Sequence, residues 1–282
     1  LDECGVCGGD NSSCALTPLT DDNFHAAVGL WLSDEASAEA TYGHISEWDV
    51  SSVTNMYALF DHATSFNGDL SAWDVSSVTD MGGMFLQAAF NGDISSWDVS
   101  SVADMSHMFD ATFSFNGDIS SWDVSGVTDM NHMFAYASSF NGDLSAWDVS
   151  SVMTMPAMFR NAGNFSSDLS SWDVSNVTDM NTMFRDASSF NGDLSSWDVS
   201  NVTDMNTMFR DASSFNGDLS YWDVSSVMQM GGMFDNSSAF SEENQCLIHT
   251  SFSSNSAWPY DWSEFCPAVF NSCGDDIGHE GY

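Results

Sequence analysis

The chain has 282 residues, of which 41 are Asp or Glu and only three are Lys or Arg, giving a formal charge of −38. A surface this acidic has nothing to neutralise phosphates, which excludes nucleic acid, and an anionic membrane would repel it. No stretch is apolar for long enough to span a bilayer, so no membrane insertion is expected.

Residues 1–19 form a cysteine-rich segment with Cys4, Cys7, Cys14 and a glycosylation sequon at Asn11. Zinc is the competing use of its CxxC pair, but the context is glycine-rich and acidic and no second pair matches, so disulfides are expected. The stretch CGVCGGDNSSC resembles part of the cysteine-rich region of secreted metalloproteases that carry thrombospondin repeats. Spanning about a dozen residues, that resemblance implies an extracellular setting without the protease activity. The chain starts at Leu1 without an initiator Met or signal peptide, as expected of a processed or truncated chain.

Residues 20–41 read as a helical cap. Phe24, Val28, Trp31 and Leu32 make one apolar stripe in TDDNFHAAVGLWL, and a Thr-Asp-Asp start suits a helix N-terminus.

Residues 42–240 repeat one sentence eight times. Trp48, Trp73, Trp97, Trp122, Trp147, Trp172, Trp197 and Trp222 are 25 residues apart at every step but one, where a residue is missing between Phe85 and Phe90. Repetition at this period predicts a solenoid. Trp197 and Val199 alternate with polar residues, as in a short strand, whereas Val202, Met205, Met208 and Phe209 follow a helical spacing with Asn201 and Asp204 placed like a capping pair. The Asn-Gly of FNGD signals a turn, and Pro156 predicts a kink in its helix. The expected fold is therefore α/β: a solenoid of eight strand-turn-short-helix copies stacked about 4.8 Å apart, with ladders of Trp, Val, Met and Phe as its core. Residues 241–282 read as a second cap, with a helix over 241–252 and an aromatic loop, AWPYDW, closing the core.

WDVSNVTDM followed by MF also resembles the roughly 25-residue repeat of bacterial surface proteins and lipoproteins known from mycoplasma and Listeria. The resemblance covers residues 42 to about 240, with FSSD in place of FNGD at Phe165 to Asp168 as one departure. It implies a surface location and a leucine-rich-repeat-like architecture, and carries no activity.

Stacking would superpose the acids. One ladder holds Asp49, Asp74, Asp98, Asp123, Asp148, Asp173, Asp198 and Asp223; a second holds Asp69, Asp93, Asp118, Asp143, Asp168, Asp193 and Asp218; a third holds Asp80, Asp104, Asp129, Asp179 and Asp204. Like charges about 5 Å apart in water repel by about 0.8 kcal/mol per pair before screening, so something must offset each ladder. One offset is local, with each Asp accepting backbone N–H bonds; the other is bound Ca²⁺, for which the first two ladders are the candidate sites. No cofactor is required by either. Arg160, Arg185 and Arg210 recur on successive copies, where each is expected to pair with Asp186, Asp211 or another nearby acid, or else to meet an acidic neighbouring subunit.

None of the six cysteines lies in the repeats; Cys246, Cys266 and Cys273 are near the C-terminus. With sequons at Asn11, Asn164, Asn176, Asn201 and Asn236, they predict an extracellular or cell-surface glycoprotein held by disulfides. Three cysteines at each end leave one over at each if Cys246 pairs with Cys266 and two of the N-terminal three pair together. A head-to-tail disulfide between chains would use both; a thiol left unpaired, a folded-back tail or an excised part of a longer protein are the alternatives. Histidines are scattered and the carboxylates recur in every copy, so no catalytic set emerges and no enzyme is expected. Two functions remain: a protomer of a surface filament, sheath or appendage assembling head-to-tail through its caps, or an adhesin ectodomain binding a glycan or surface protein on one face.

Overall fold

The computed structural model describes residues 16–266. Helix α1 (Phe24–Ser33) is followed by α2 (Glu35–Tyr42) and a 3-10 turn at Ile45–Glu47; eight stacked repeats follow, and then α3 (Glu242–Phe252) and a 3-10 turn at Ser263–Phe265. Among the described residues there is no β-strand, and none of the α-helices lies within the repeats. The expected α/β architecture of strand-turn-helix copies is thereby overturned. Each repeat makes one parallel bridge to the next, running Asn55–Asp80–Asp104–Asp129–Thr154–Asp179–Asp204–Gln229.

The helical spacing has another origin. In the seventh repeat Met208 N–H donates to Met205 O, Arg210 to Thr207, Ala212 to Phe209 and Phe215 to Ala212. A run of four-residue turns, each closed by an N–H three residues on, returns the chain to the core at every third position, imitating the i, i+3 part of a helical stripe. The intervening amides do something no helix allows: Met205, Thr207, Phe209 and Asp211 donate across to Gln229, Gly231, Met233 and Asp235 of the next repeat. Thr207 and Asp211 have φ of 50° and 58°, and their counterparts in every copy are also left-handed, which stops a right-handed helix from propagating. Asp204 is accordingly not a helix cap, and the Asn201 side chain instead donates to Ser175 O of the preceding repeat.

The strand fails for a related reason: its backbone groups are used locally. Val202 N–H donates to Val199 O, and the amides of Ser195 and Ser200 are taken by the carboxylates of Asp193 and Asp198. Pro156 makes no kink in a helix. It precedes left-handed Ala157 (φ 54°), the second place of a turn that proline favours, and its carbonyl accepts from His132.

Left-handed threonine is costly, by about 1–2 kcal/mol for a residue with a Cβ. The second and eighth copies place Gly83 and Gly232 at this position, both with positive φ. A Cβ at Gly83 would meet nothing nearer than 3.9 Å, so conformation and not space distinguishes glycine there. Thr207→Gly is expected to stabilise the protein by roughly 1 kcal/mol in urea denaturation, less whatever the unfolded chain gains in entropy. A destabilised variant would show that the threonine side chain is worth more than its strain.

The core is a set of ladders. Trp172, Trp197 and Trp222 stack at 6.4 Å between ring centroids, and Phe159, Phe184, Phe209 and Phe234 at 5.5–5.6 Å. Each indole N–H is also satisfied: Trp172 donates to Leu144 O, Trp197 to Leu169 O and Trp222 to Leu194 O, all in the preceding repeat. An asparagine column runs alongside, in which Asn67, Asn91 and Asn116 accept from the next copy's backbone through Oδ1.

Both ends of the stack are covered. At the first repeat, Thr54 lacks the preceding carbonyl that Thr79 and Ala103 use; Asp21 supplies the acceptor at 2.8 Å and also takes the Thr54 hydroxyl. These bonds, the hydroxyl first and the amide second, hold the Asp21 carboxyl below its ordinary pKa. Helix α1 starts with the expected stripe at Phe24, four residues after the Thr20 start of the expected helical segment, and buries Phe24, Ala27, Val28 and Trp31, while Leu32 stays exposed. Helix α2 falls in the second half of the helical cap expected over residues 20–41 and is capped by the Asp34 side chain on Ser37 N–H. At the other end, Ser241 caps α3, and Trp258, Tyr260 and Trp262 surround Phe234. There the Tyr260 hydroxyl accepts from Phe234 N–H at 2.8 Å, where a ninth repeat would have placed a carbonyl.

Candidate functional site

The periodic acids are already engaged by their own turns. In the WD ladder, Asp49, Asp74, Asp98, Asp123, Asp148, Asp173, Asp198 and Asp223 each accept from the amide of the serine two residues on. In the GD ladder, Asp69, Asp93, Asp118, Asp143, Asp168, Asp193 and Asp218 do the same. The consequence is visible in acidity. Serine hydroxyl and then amide bonds hold Asp49, Asp98, Asp118, Asp148 and Asp198 below the usual carboxylate range. Amide and then hydroxyl do so for Asp69, Asp93, Asp143, Asp168, Asp193 and Asp223. Repetition made these ladders legible, and the serine two residues on was the available signal for their partner. Among the described residues no three His, Cys, Asp or Glu side chains converge as a metal-holding group.

The third ladder behaves differently. Asp80, Asp104, Asp129, Asp179 and Asp204 accept from the amide two residues on, yet they are half-buried. Burial raises the pKa of Asp129 and Asp179, and the neighbouring Asp104 and Asp204 add to it. Thr154 separates the two, so the column of charge is interrupted in mid-stack.

Opposite linkage signs follow. For Asp129 and Asp179 the folded pKa exceeds the unfolded 3.8, so their protonation stabilises the fold, and that contribution is lost as pH rises through the folded value. The acids of the outer ladders named above as held low have folded pKa values below 3.8, so their contribution is present above that pH and lost on further acidification. Melting temperature is expected to rise as pH falls from 7 toward 4 and to drop below it. Asp129→Asn/Asp179→Asn should flatten the rise; an unaltered profile would assign it to general relief of charge.

The arginines divide. Arg185 and Arg210 approach Asp186 and Asp211 at 3.3 Å, whereas Arg160 lies 5.3 Å over the Tyr136 ring. Only the Arg210 contact is aligned as a hydrogen bond, and the Nε of Arg185 has no such partner. Partly exposed pairs of this kind contribute little to stability. Two histidines also meet: the rings of His107 and His132 stack at 4.6 Å, and His107 Nδ1 lies 2.9 Å from Asp110. Burial, then the His107 charge, lowers the pKa of His132.

Of the sequons, Asn164, Asn176, Asn201 and Asn236 are exposed. The side-chain amides of Asn176 and Asn201 donate to the preceding repeat, and that of Asn236 to Asp211, so a glycan on any of these replaces one of those donors. Cys246 and Cys266 form a disulfide with Cα atoms 4.9 Å apart, joining α3 to the end of the aromatic loop. Cys4, Cys7, Cys14, Cys273 and the Asn11 sequon lie outside the described residues. No described helix is long and apolar enough to cross a membrane.

One concavity interrupts this regularity. A groove of about 780 Å³ opens between residues 222–228 of the last repeat and residues 251–257 after α3. It arises where a cap replaces a repeat, so the periodicity itself does not reveal it.

Comparison with curated proteins and with solved structures returns no match. A family model described as "Mycoplasma protein of unknown function, DUF285" matches residues 32–147 and again residues 137–246, together spanning the whole stack. The chain, with its tryptophan register and the left-handed turns between bridges, belongs to the DUF285 family.

Proposed function

We propose that the protein is an extracellular, non-enzymatic structural component of a cell surface, a protomer that assembles head-to-tail through its two ends into a filament, sheath or appendage. One observation carries this reading: the periodic interior is spent on its own packing, while the cysteines and the caps lie at the ends. With Cys246 and Cys266 joined to each other, Cys4, Cys7, Cys14 and Cys273 are the cysteines left to connect protomers. Direct repeat-on-repeat stacking between chains is opposed by the two caps, in which Asp21 takes the Thr54 amide and Tyr260 the Phe234 amide, so the junction belongs to the outer segments.

The test is mass analysis of native material with and without reductant, with the linked peptides sequenced. Cys273 joined to Cys4, Cys7 or Cys14 of a second chain supports the proposal; bridges confined within single chains remove it. No cofactor is required. Calcium enters as a bridge between the acidic faces of neighbouring protomers, shown if EDTA lowers the melting temperature and Ca²⁺ restores it where Na⁺ at matched ionic strength does not. Equal rescue by both salts reduces the effect to screening.

A further inference from the structure

The groove at the C-terminal end lies where the corresponding segment of a ninth repeat would run. In the interior, Thr203 N–H bonds to Thr178 O and Met228 N–H to Thr203 O, so each such segment is covered by the next. After Met228 no repeat follows. The cap touches this surface through two clamps: Ser251 Oγ donates to Ser220 O at 2.7 Å, and Asn255 Nδ2 donates to Val224 O and Val227 O at 2.7 and 2.9 Å. Beyond these clamps the loop stands off from the repeat, leaving space for a ligand of a few hundred cubic ångströms.

Its walls are hydrogen-bonding but hardly charged. Ser226, Ser254 and Ser256 present hydroxyl groups that make no hydrogen bond among the described residues, and Asp223 is the sole ionisable side chain in the lining. Beside them is apolar surface that a water-facing end does not require. Met228, in the lining, is 70% exposed, and Tyr221, next to Trp222 in the chain, is 81% exposed. The seventh repeat has Thr203 and Ser196 at these positions, and no other repeat carries a tyrosine where Tyr221 stands. Terminal repeats usually become more polar on their outer face. This one gains an aromatic ring instead, beside a methionine that elsewhere occurs at this position only as Met153 of the fifth repeat.

We infer that the groove between residues 222–228 and 251–257 is a binding site for a short neutral glycan. Serine hydroxyls and the Asp223 carboxylate match sugar hydroxyls as donors and acceptors, Met228 in the lining offers apolar surface to the C–H face of a pyranose ring, and the exposed Tyr221 ring, outside the lining but next to Trp222 in the chain, is the candidate to extend that surface to a second sugar. Anionic sugars are disfavoured by Asp223 and by the formal charge of −38. The inference stands whether or not protomers join end to end, since it uses one chain only.

The experiment is saturation-transfer NMR and calorimetric titration of the full chain with a panel of neutral tetrasaccharides of glucose, N-acetylglucosamine, mannose and galactose. At least one is expected to bind, with a dissociation constant between about 10 μM and 1 mM. The variant Tyr221→Ser/Met228→Thr installs the residues that the seventh repeat already accommodates, and is expected to weaken binding at least tenfold with the melting temperature unchanged. A second variant, Ser254→Ala/Ser256→Ala, should weaken it without touching the repeat. Absence of binding across the panel, or binding that survives both variants, overturns the inference; a peptide or protein bound in place of any sugar does so too.

Discussion

Trp172→Ala is expected to cost about 3–5 kcal/mol and to divide a single unfolding transition into two. The size follows from three losses at one position. The indole packs against Phe159 and Trp197, its N–H is the donor for buried Leu144 O, and no neighbouring element can collapse into the gap, because every adjacent side chain belongs to a ladder of its own. The division follows from connectivity: bridges and stacked rings run between adjacent repeats, so a damaged interface at the sixth copy leaves the blocks on either side intact. Trp172→Phe isolates the hydrogen bond and should cost at least the roughly 1–3 kcal/mol of an unsatisfied carbonyl, plus a share for lost volume. Urea titrations followed by circular dichroism and by tryptophan fluorescence check both. Coincident transitions in the alanine variant would show that cooperativity reaches farther than the nearest neighbour.

Breaking the Cys246–Cys266 link by Cys246→Ala/Cys266→Ala should have the next largest effect, roughly 3 kcal/mol for a loop closed over 20 residues. The consequence is concentrated at one end. Trp258, Tyr260 and Trp262 shield Phe234 and Phe240, and the Tyr260 hydroxyl, its pKa pushed up chiefly by burial, serves the Phe234 amide. Without the tether that group is free to leave, and hydrogen exchange at Phe234 should accelerate well before exchange at Phe184. Reductant alone should reproduce the shift. A melting temperature indifferent to reductant would mean that the aromatic packing holds the cap unaided.

The tryptophan register, the buried apolar set and the acid ladders were legible because each is a property of residue type at fixed spacing. Backbone conformation was less so. Val202, Met205 and Met208 satisfy a helix and a chain of four-residue turns equally well, and the sign of φ at Thr207 is hidden in a residue that seldom adopts it. Gly83 and Gly232 in the same column were the available hint. Asp21 and Tyr260 were out of reach for another reason: each acts once, across more than twenty residues, on a backbone amide that any sequence would supply. The groove was equally hidden, being the space between a cap and the repeat it imperfectly replaces.

Those two terminal contacts bear on how such a chain lengthens. Asp21 recognises the backbone and hydroxyl of a threonine that recurs down the stack, and Tyr260 recognises only a main-chain N–H. Neither end senses how many tiers lie between them. Duplication or loss of one 25-residue unit in the gene therefore changes the height of the molecule by one step while presenting the same terminal amides to the same two side chains. The shortened copy between Phe85 and Phe90, whose Phe85 ring still stacks on Phe60 and Phe109 at 5.5 and 5.7 Å, shows how much copying error the register absorbs. Length is thus an inherited dimension, open to selection separately from the closures that terminate it.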